Sequence, residues 1–171
     1  MSAWDATPTI SAAEVAAALL LPTPTLAQQQ VIEAPPTPAL VVAGAGSGKT
    51  ETMSGRVVWL VANGLVRRDE ILGLTFTRKA AGELAERIGA RLSMIDEYGR
   101  RGLLPHVPAI VASGVLARVE AAAPGRQRDL VRTTVLDELA ADYATGWDPA
   151  TPRTADDLMI RPRVSTYNAF A

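Results

Sequence analysis

The stretch ALVVAGAGSGKTET, residues 39–52, constrains this chain more than any other. It opens with an apolar run rich in β-branched residues, Ala39 to Ala43, preceded by the turn residues PPTP. Such a run reads as a buried parallel strand. It passes directly into a loop whose glycines, Gly44, Gly46 and Gly48, let the backbone turn tightly and aim successive N–H groups at one point, an arrangement suited to a phosphate. Lys49 can reach the outer phosphates of a nucleotide, and the Thr50 hydroxyl can sit on Mg²⁺. The residues from Lys49 onward read as a helix whose positive end faces the same place. The usual fingerprint is G-x-x-x-x-G-K-[ST]. Here Ala43 takes its first position, Ala45 and Ser47 lie within it, and Glu51 follows it. A Gly-rich turn before an ordinary helix is the plain alternative; the apolar run before and the helix after weigh against it.

A second strand–helix pair follows. ILGLTFT, residues 71–77, is another apolar run, and AAGELAERIGARLSMI continues as a helix with Leu84, Ile88 and Leu92 on the face towards the sheet. Two strands each followed by a helix form a βαβ unit. Thr75, Thr77, Arg78 and Lys79 then lie at the carboxyl edge of the sheet, where open α/β folds place their ligands. Threonines and cations there suit sugar–phosphate contacts. Arg78 and Lys79 can equally be a solvated helix start, although cations at a helix N-terminus oppose its dipole.

The flanks are helical. Ser11 with Glu14 forms a capping-box pattern for a helix over about 12–20, ended by Pro22. TLAQQQVIEA predicts a second helix with Thr25 as its N-cap. Farther on, Pro108 suits a first helical turn, with Ile110, Val111, Val115 and Val119 as an apolar face. A further helix covers about 130–146, with Val135, Leu136, Leu139 and Tyr143 as its stripe, and VST, 164–166, is a last strand. VLDEL, 135–139, imitates an acidic metal-binding strand end, but LAADYA follows it, so Asp137 and Glu138 read as a solvated helix face. His106 reads as a loop residue and Trp59 as core.

Composition sets limits. A net charge of -1 excludes a strongly basic surface but not a local DNA-facing patch. The absence of cysteine removes disulfides, thiol chemistry and Cys-based metal sites, and fits a cytoplasmic location. AAALLL is short, with Glu14 upstream, so neither a signal peptide nor a membrane span is predicted.

Four stretches together resemble superfamily 1 DNA helicases of the Rep/UvrD type, and most of all the AdnB-type subunit of mycobacterial AdnAB helicase–nucleases. PTLAQQQVIEA resembles the Q motif, VVAGAGSGKTET motif I, LGLTFTRKAAGELAERI motif Ia, and VSTYNAFA motif Ic, with Asn168 where many relatives have His. The resemblance implies an α/β fold: a partial RecA-like P-loop NTPase domain (helicase domain 1A) with a helical insertion between the second and third recognisable strands. Its parts are a lead-in over 1–24, the Q motif, P-loop and motif Ia over 25–95, the insertion over 96–160, and the start of motif Ic over 161–171.

The resemblance also assigns roles. Gln28 would read the adenine edge of ATP, although it stands three residues after Thr25, where a capping Gln also belongs. Ala43 to Glu51 would hold ATP, with Lys49 and Thr50 catalytic and Thr50 on Mg²⁺. Thr75, Thr77, Arg78, Thr166, Tyr167 and Asn168 would line a single-stranded DNA track, with Tyr167 either stacking on a base or in the core. A second motor–nuclease subunit would be a partner. The acidic Walker B motif, the sensor motifs, the second RecA-like domain and its arginine finger are not in these residues. The chain therefore reads as an N-terminal fragment that does not hydrolyse ATP alone. A P-loop ATPase or kinase of another class, or an inactive remnant, is the alternative; no kinase lid or substrate segment is recognisable.

Overall fold

The longest buried stripe in the sequence organises the fold. A computed structural model describes residues 7–122, 126–143 and 163–166. In chain order the elements are α1 (Ala12–Ala18), α2 (Leu26–Ile32), α3 (Lys49–Ala62), β1 (Leu72–Thr75), α4 (Arg78–Arg100), α5 (Val107–Ala112), α6 (Val115–Ala122), α7 (Arg126–Tyr143) and β2 (Arg163–Thr166). Leu84, Ile88, Leu92 and Ile95 are buried along α4, which packs on α3 and on both strands. β1 and β2 pair in parallel, with Leu72 opposite Arg163 and Thr75 opposite Thr166. The described residues are thus mainly helical around one short parallel ladder.

Local chemistry sets the helix ends. α1 carries the expected capping box between Ser11 and Glu14. It stops at Ala18 rather than near 20, because Leu20 takes a left-handed conformation (φ 55). There the N–H of Leu21 donates to Ala16 O at 2.9 Å and that of Leu20 to Ala17 O at 3.0 Å, a Schellman closure built on a leucine. α2 ends under Arg56 of α3, whose Nη1 donates to the carbonyls of Val31, Ile32 and Ala34 at 2.8–3.0 Å. The apolar face expected around Pro108 is split into α5 and α6 at Ser113–Gly114, yet Ile110 and Val119 are still buried. Leu136 of α7 is fully buried, and Asp137 is exposed in an ion pair with Arg101. His106 stacks on Tyr143, with ring centroids 4.2 Å apart.

The first predicted strand is not formed. Ala39 to Ala43 has no regular secondary structure, and Leu40 and Val42 are 90% and 88% exposed. A parallel strand exists only through hydrogen bonds to a neighbour, and among the described residues the single ladder is β1 with β2. β-propensity alone does not order a run that has no partner. The second predicted strand is also trimmed, because Phe76 and Thr77 bend out of the ladder into the N-terminus of α4.

α3 is the centre of the core. Val58 and Trp59 are buried, and Trp59 Nε1 donates to Ile10 O at 2.8 Å. Asn63, at the end of α3, accepts from the N–H groups of Thr9 and Ile10 and so ties down the chain before α1. Arg68 and Asp96 form a buried ion pair between the turn before β1 and α4.

Tyr98 of α4 is completely buried, and its hydroxyl donates to Ala18 O at 3.0 Å. Burial pushes its phenol from an ordinary 10.0 up to about 12, with Arg132 opposing and Glu97 adding to the shift. A folded-state value raised this way contributes stability that is intact below the unfolded value and lost as pH rises through the folded one. Stability should therefore fall by about 1.4 kcal/mol per pH unit across that window. Tyr98→Phe should remove this slope while losing the hydrogen bond; urea unfolding across the window, giving equal slopes for both proteins, would contradict the assignment.

Candidate functional site

The phosphate-loop sequence forms a turn followed by a helix, as its glycines require. Gly46 and Gly48 both have left-handed backbones, with φ of 75° and 79°. The Ser47 hydroxyl donates to Gly44 O at 2.8 Å and closes the loop on itself. Thr52 N donates to Gly48 O at 2.8 Å. The N–H groups of Lys49, Thr50 and Glu51 precede that bond at the open end of α3, where helix geometry leaves donors for an outside acceptor. Lys49 Nζ lies among the loop carbonyls, donating to Ala43 O at 3.0 Å and Gly44 O at 2.5 Å. Ala43, Ala45, Lys49 and Thr50 are all exposed, so the loop stands open to a ligand.

Gln28 takes up the capping role and also touches the phosphate loop. Its Oε1 accepts from Thr25 N at 2.9 Å while Thr25 Oγ1 accepts from Gln28 N at 3.3 Å, a complete capping box. Its Nε2 donates to Ser47 O at 3.3 Å, so the same amide touches the phosphate loop. A cleft of about 390 Å³ opens beside it. Val15, Leu19, Pro22, Pro24 and Val58 give the cleft apolar walls, and Gln28, Thr52, Glu51 and Arg91 give it polar groups.

Glu51 turns to α4. Its Oε1 is 2.6 Å from Arg91 Nη2 and its Oε2 is 3.5 Å from Arg87 Nη1. Sequence reasoning missed both arginines. The signal was available: Arg91 falls on the buried stripe of α4 beside Ile88 and Leu92, and a cation there requires a partner.

The second group of predicted residues sits at the carboxyl end of β1. Thr75 Oγ1 donates to Thr77 O at 3.1 Å, and Thr77 Oγ1 caps α4 by accepting from Ala80 N at 3.1 Å. Arg78 is exposed, and Lys79 lies 3.8 Å from Glu83. Thr75 is the register partner of Thr166, so the ends of the two strands meet. Tyr167 and Asn168 lie outside the described residues. Phe76, which the sequence reading passed over, is 96% exposed between Thr75 and Thr77. Its signal was a large apolar residue on a strand end between two threonines.

Among the described residues no group of three or more His, Cys, Asp or Glu side chains converges on a metal position. Thr50 offers a single exposed oxygen, which fits Mg²⁺ as an ion held chiefly by phosphate oxygens and water. No helix among the described residues is long and apolar enough to cross a membrane.

Residues 25–135 match the UvrD/REP helicase N-terminal domain. The chain belongs to that family. In this UvrD-type chain the match begins at the Thr25 cap and takes in the phosphate loop, β1 and α4. The ATP-dependent DNA helicase UvrD2 of Mycobacterium tuberculosis is 46% identical over 75 residues, covering 44% of this chain and 10% of that protein. DNA helicase II of Haemophilus influenzae is 42% identical over 76 residues, covering 44% and 10%. DNA helicase IV of Escherichia coli is 51% identical over 61 residues, covering 36% and 9%. The matched stretch is therefore about a tenth of the length of these relatives.

The glycine geometry yields a stability test. A Cβ added to Gly48 would lie 2.8 Å from Gln28 Nε2, on a backbone with φ of 79°. Gly48→Ala should cost about 1–2 kcal/mol through the left-handed backbone alone and push the Gln28 amide off Ser47. At Gly44 the added Cβ meets nothing within 4 Å, so Gly44→Ala should change stability by no more than about 0.5 kcal/mol. Urea unfolding of the two variants measures the contrast, and equal losses would place the strain elsewhere.

Proposed function

We propose that this chain is the ATP-binding N-terminal part of a UvrD-like DNA helicase, a translocase that couples ATP hydrolysis to movement along single-stranded DNA. The observation that carries the reading is the loop with left-handed Gly46 and Gly48, open at the N-terminus of α3 and touched by Gln28. The family match supports it. In this reading the domain is a partial RecA-like α/β unit, and α5 to α7 are an insertion between its strands. It works in the cytoplasm, in keeping with the absence of cysteine.

Phosphates would take the N–H groups from Gly46 to Glu51, the Lys49 ammonium and, through Mg²⁺, the Thr50 hydroxyl. Ala43, Gly44, Ala45 and Ser47 shape the loop. The base would lie towards Gln28, whose amide is fixed by the α2 cap. Mg²⁺ supplies charge neutralisation at the phosphate oxygens when bound. The loop would position the γ-phosphate, whereas activating the attacking water needs an acidic partner that the loop itself does not supply. Its resemblance to AdnB-type subunits, carried by Asn168 in VSTYNAFA, adds a second motor–nuclease chain as a partner of the whole protein.

Lys49→Ala should weaken Mg–ATP binding by about 1.5–3 kcal/mol, the range for a hydrogen bond to a charged group. Calorimetric titration of the chain measures this, and unchanged affinity would remove the nucleotide from the loop.

DNA would run over the carboxyl ends of β1 and β2, across Thr75, Thr77, Arg78, Thr166, Tyr167 and Asn168. Phosphate contacts from such groups give affinity without base preference. The exposed Phe76 adds a stacking surface, worth about 1–3 kcal/mol per base. In the full-length enzyme, Arg78→Ala should weaken single-strand binding equally for different sequences and lessen its salt dependence. Phe76→Ala should weaken binding with the salt dependence unchanged. Fluorescence anisotropy over a salt series distinguishes the two effects; a loss confined to one DNA sequence would count against the track.

A further inference from the structure

Glu51 presents an electrostatic problem that the fold has to solve. It follows Lys49-Thr50 directly and lies in the first turn of α3. A carboxylate is favourable there for the isolated helix. It is unfavourable where the same helix end is to receive a polyphosphate, because like charges at short range repel.

Arg91 meets this carboxylate in a closed ring of contacts. Its Nη2 is 2.6 Å from Glu51 Oε1, and its Nη1 donates to Ser54 Oγ at 2.7 Å. Ser54 is fully buried, and its hydroxyl donates in turn to Glu51 O at 2.9 Å. Arg91 therefore holds both the side chain and, through Ser54, the main chain of Glu51. Arg87 stands one turn earlier, 3.5 Å from the other carboxylate oxygen. Stability is a poor reason for a buried arginine on an apolar stripe, since such pairs seldom outperform well-packed hydrophobic residues.

We propose that Arg91 is a positioning residue for nucleotide binding. It turns the Glu51 carboxylate towards α4 and neutralises it, leaving the N–H groups and Lys49 to set the field at the loop. The inference rests on the nucleotide reading above and adds a specific residue to it. α4 also begins at Thr77 and Arg78, so the helix that quiets Glu51 is the one whose first turn lies at the strand ends.

The test is calorimetric titration of Mg–ATP into this chain and its variants. Arg91→Gln should weaken binding roughly three- to tenfold, the scale of one uncompensated charge near a protein surface. Adding Glu51→Gln to that variant should restore affinity, and raising the salt should shrink the gap between them. A loss that Glu51→Gln fails to rescue would make Arg91 merely structural and overturn the inference, as would no loss at all. If Arg91→Gln fails to fold, the half-exposed Arg87 supplies the same test: Arg87→Gln should show a smaller loss, also rescued by Glu51→Gln, and no loss would overturn the inference. Lys49→Ala separates the two levels. Insensitivity to Lys49 strikes the nucleotide reading itself, whereas dependence on Lys49 with inert arginines strikes only the role of Arg91.

Discussion

The burial of α3 is the constraint on which the other features depend. A phosphate loop is only as well placed as the helix it opens, and α3 is held by α1, α2 and α4 together. Val58 and Trp59 bury its far face, while Arg56 reaches the carbonyls that end α2. Because Gln28 lies on α2 and the loop opens α3, that guanidinium helps fix the distance between the Gln28 amide and the free N–H groups at the start of α3. The left-handed glycines bend a chain whose downstream end is packed into the core.

The interior is unusually dependent on arginine for a chain of this modest charge. Arg68, Arg91 and Arg132 are all buried, and Asp96, Glu51 and Glu97 receive them. Each joins elements distant in sequence: the turn before β1 with α4, α3 with α4, and α4 with α7. A guanidinium suits this work because its fixed fork satisfies several acceptors at once. Such pairs add little net stability, but removing one partner leaves a buried charge uncompensated. They therefore fix which surfaces meet more than how tightly they hold.

How much of this was legible in the sequence depended on whether the signal was local. The caps at Ser11 and Thr25, the turn at Gly46 and Gly48, and the stripe of Leu84, Ile88 and Leu92 all follow from residues within a turn or two of one another. The structure shows each of them. The strand at Ala39–Ala43 failed because a strand is a relation between segments, and its apolar residues specify a tendency without naming a neighbour. The stop of α1 at Ala18, before Leu20, was invisible for a related reason: a leucine with positive φ is held there by closure of the whole turn, not by its own preference. In the site, the loop and Gln28 were readable as motifs, whereas Arg91 and Phe76 required knowing which side of α4 is buried and where β1 ends.

The exposed run at Leu40–Val42 has a consequence for how the chain behaves in solution. Its apolar side chains are uncovered and its backbone has no ladder partner, the condition under which a segment can pair with a strand of another molecule. This run continues without a break into Gly44 and the phosphate loop. Pairing of that run with another strand would therefore compete by mass action with any ligand that orders the loop. Such a ligand would act as a solubiliser, and a high concentration of the chain would act as an inhibitor of its binding.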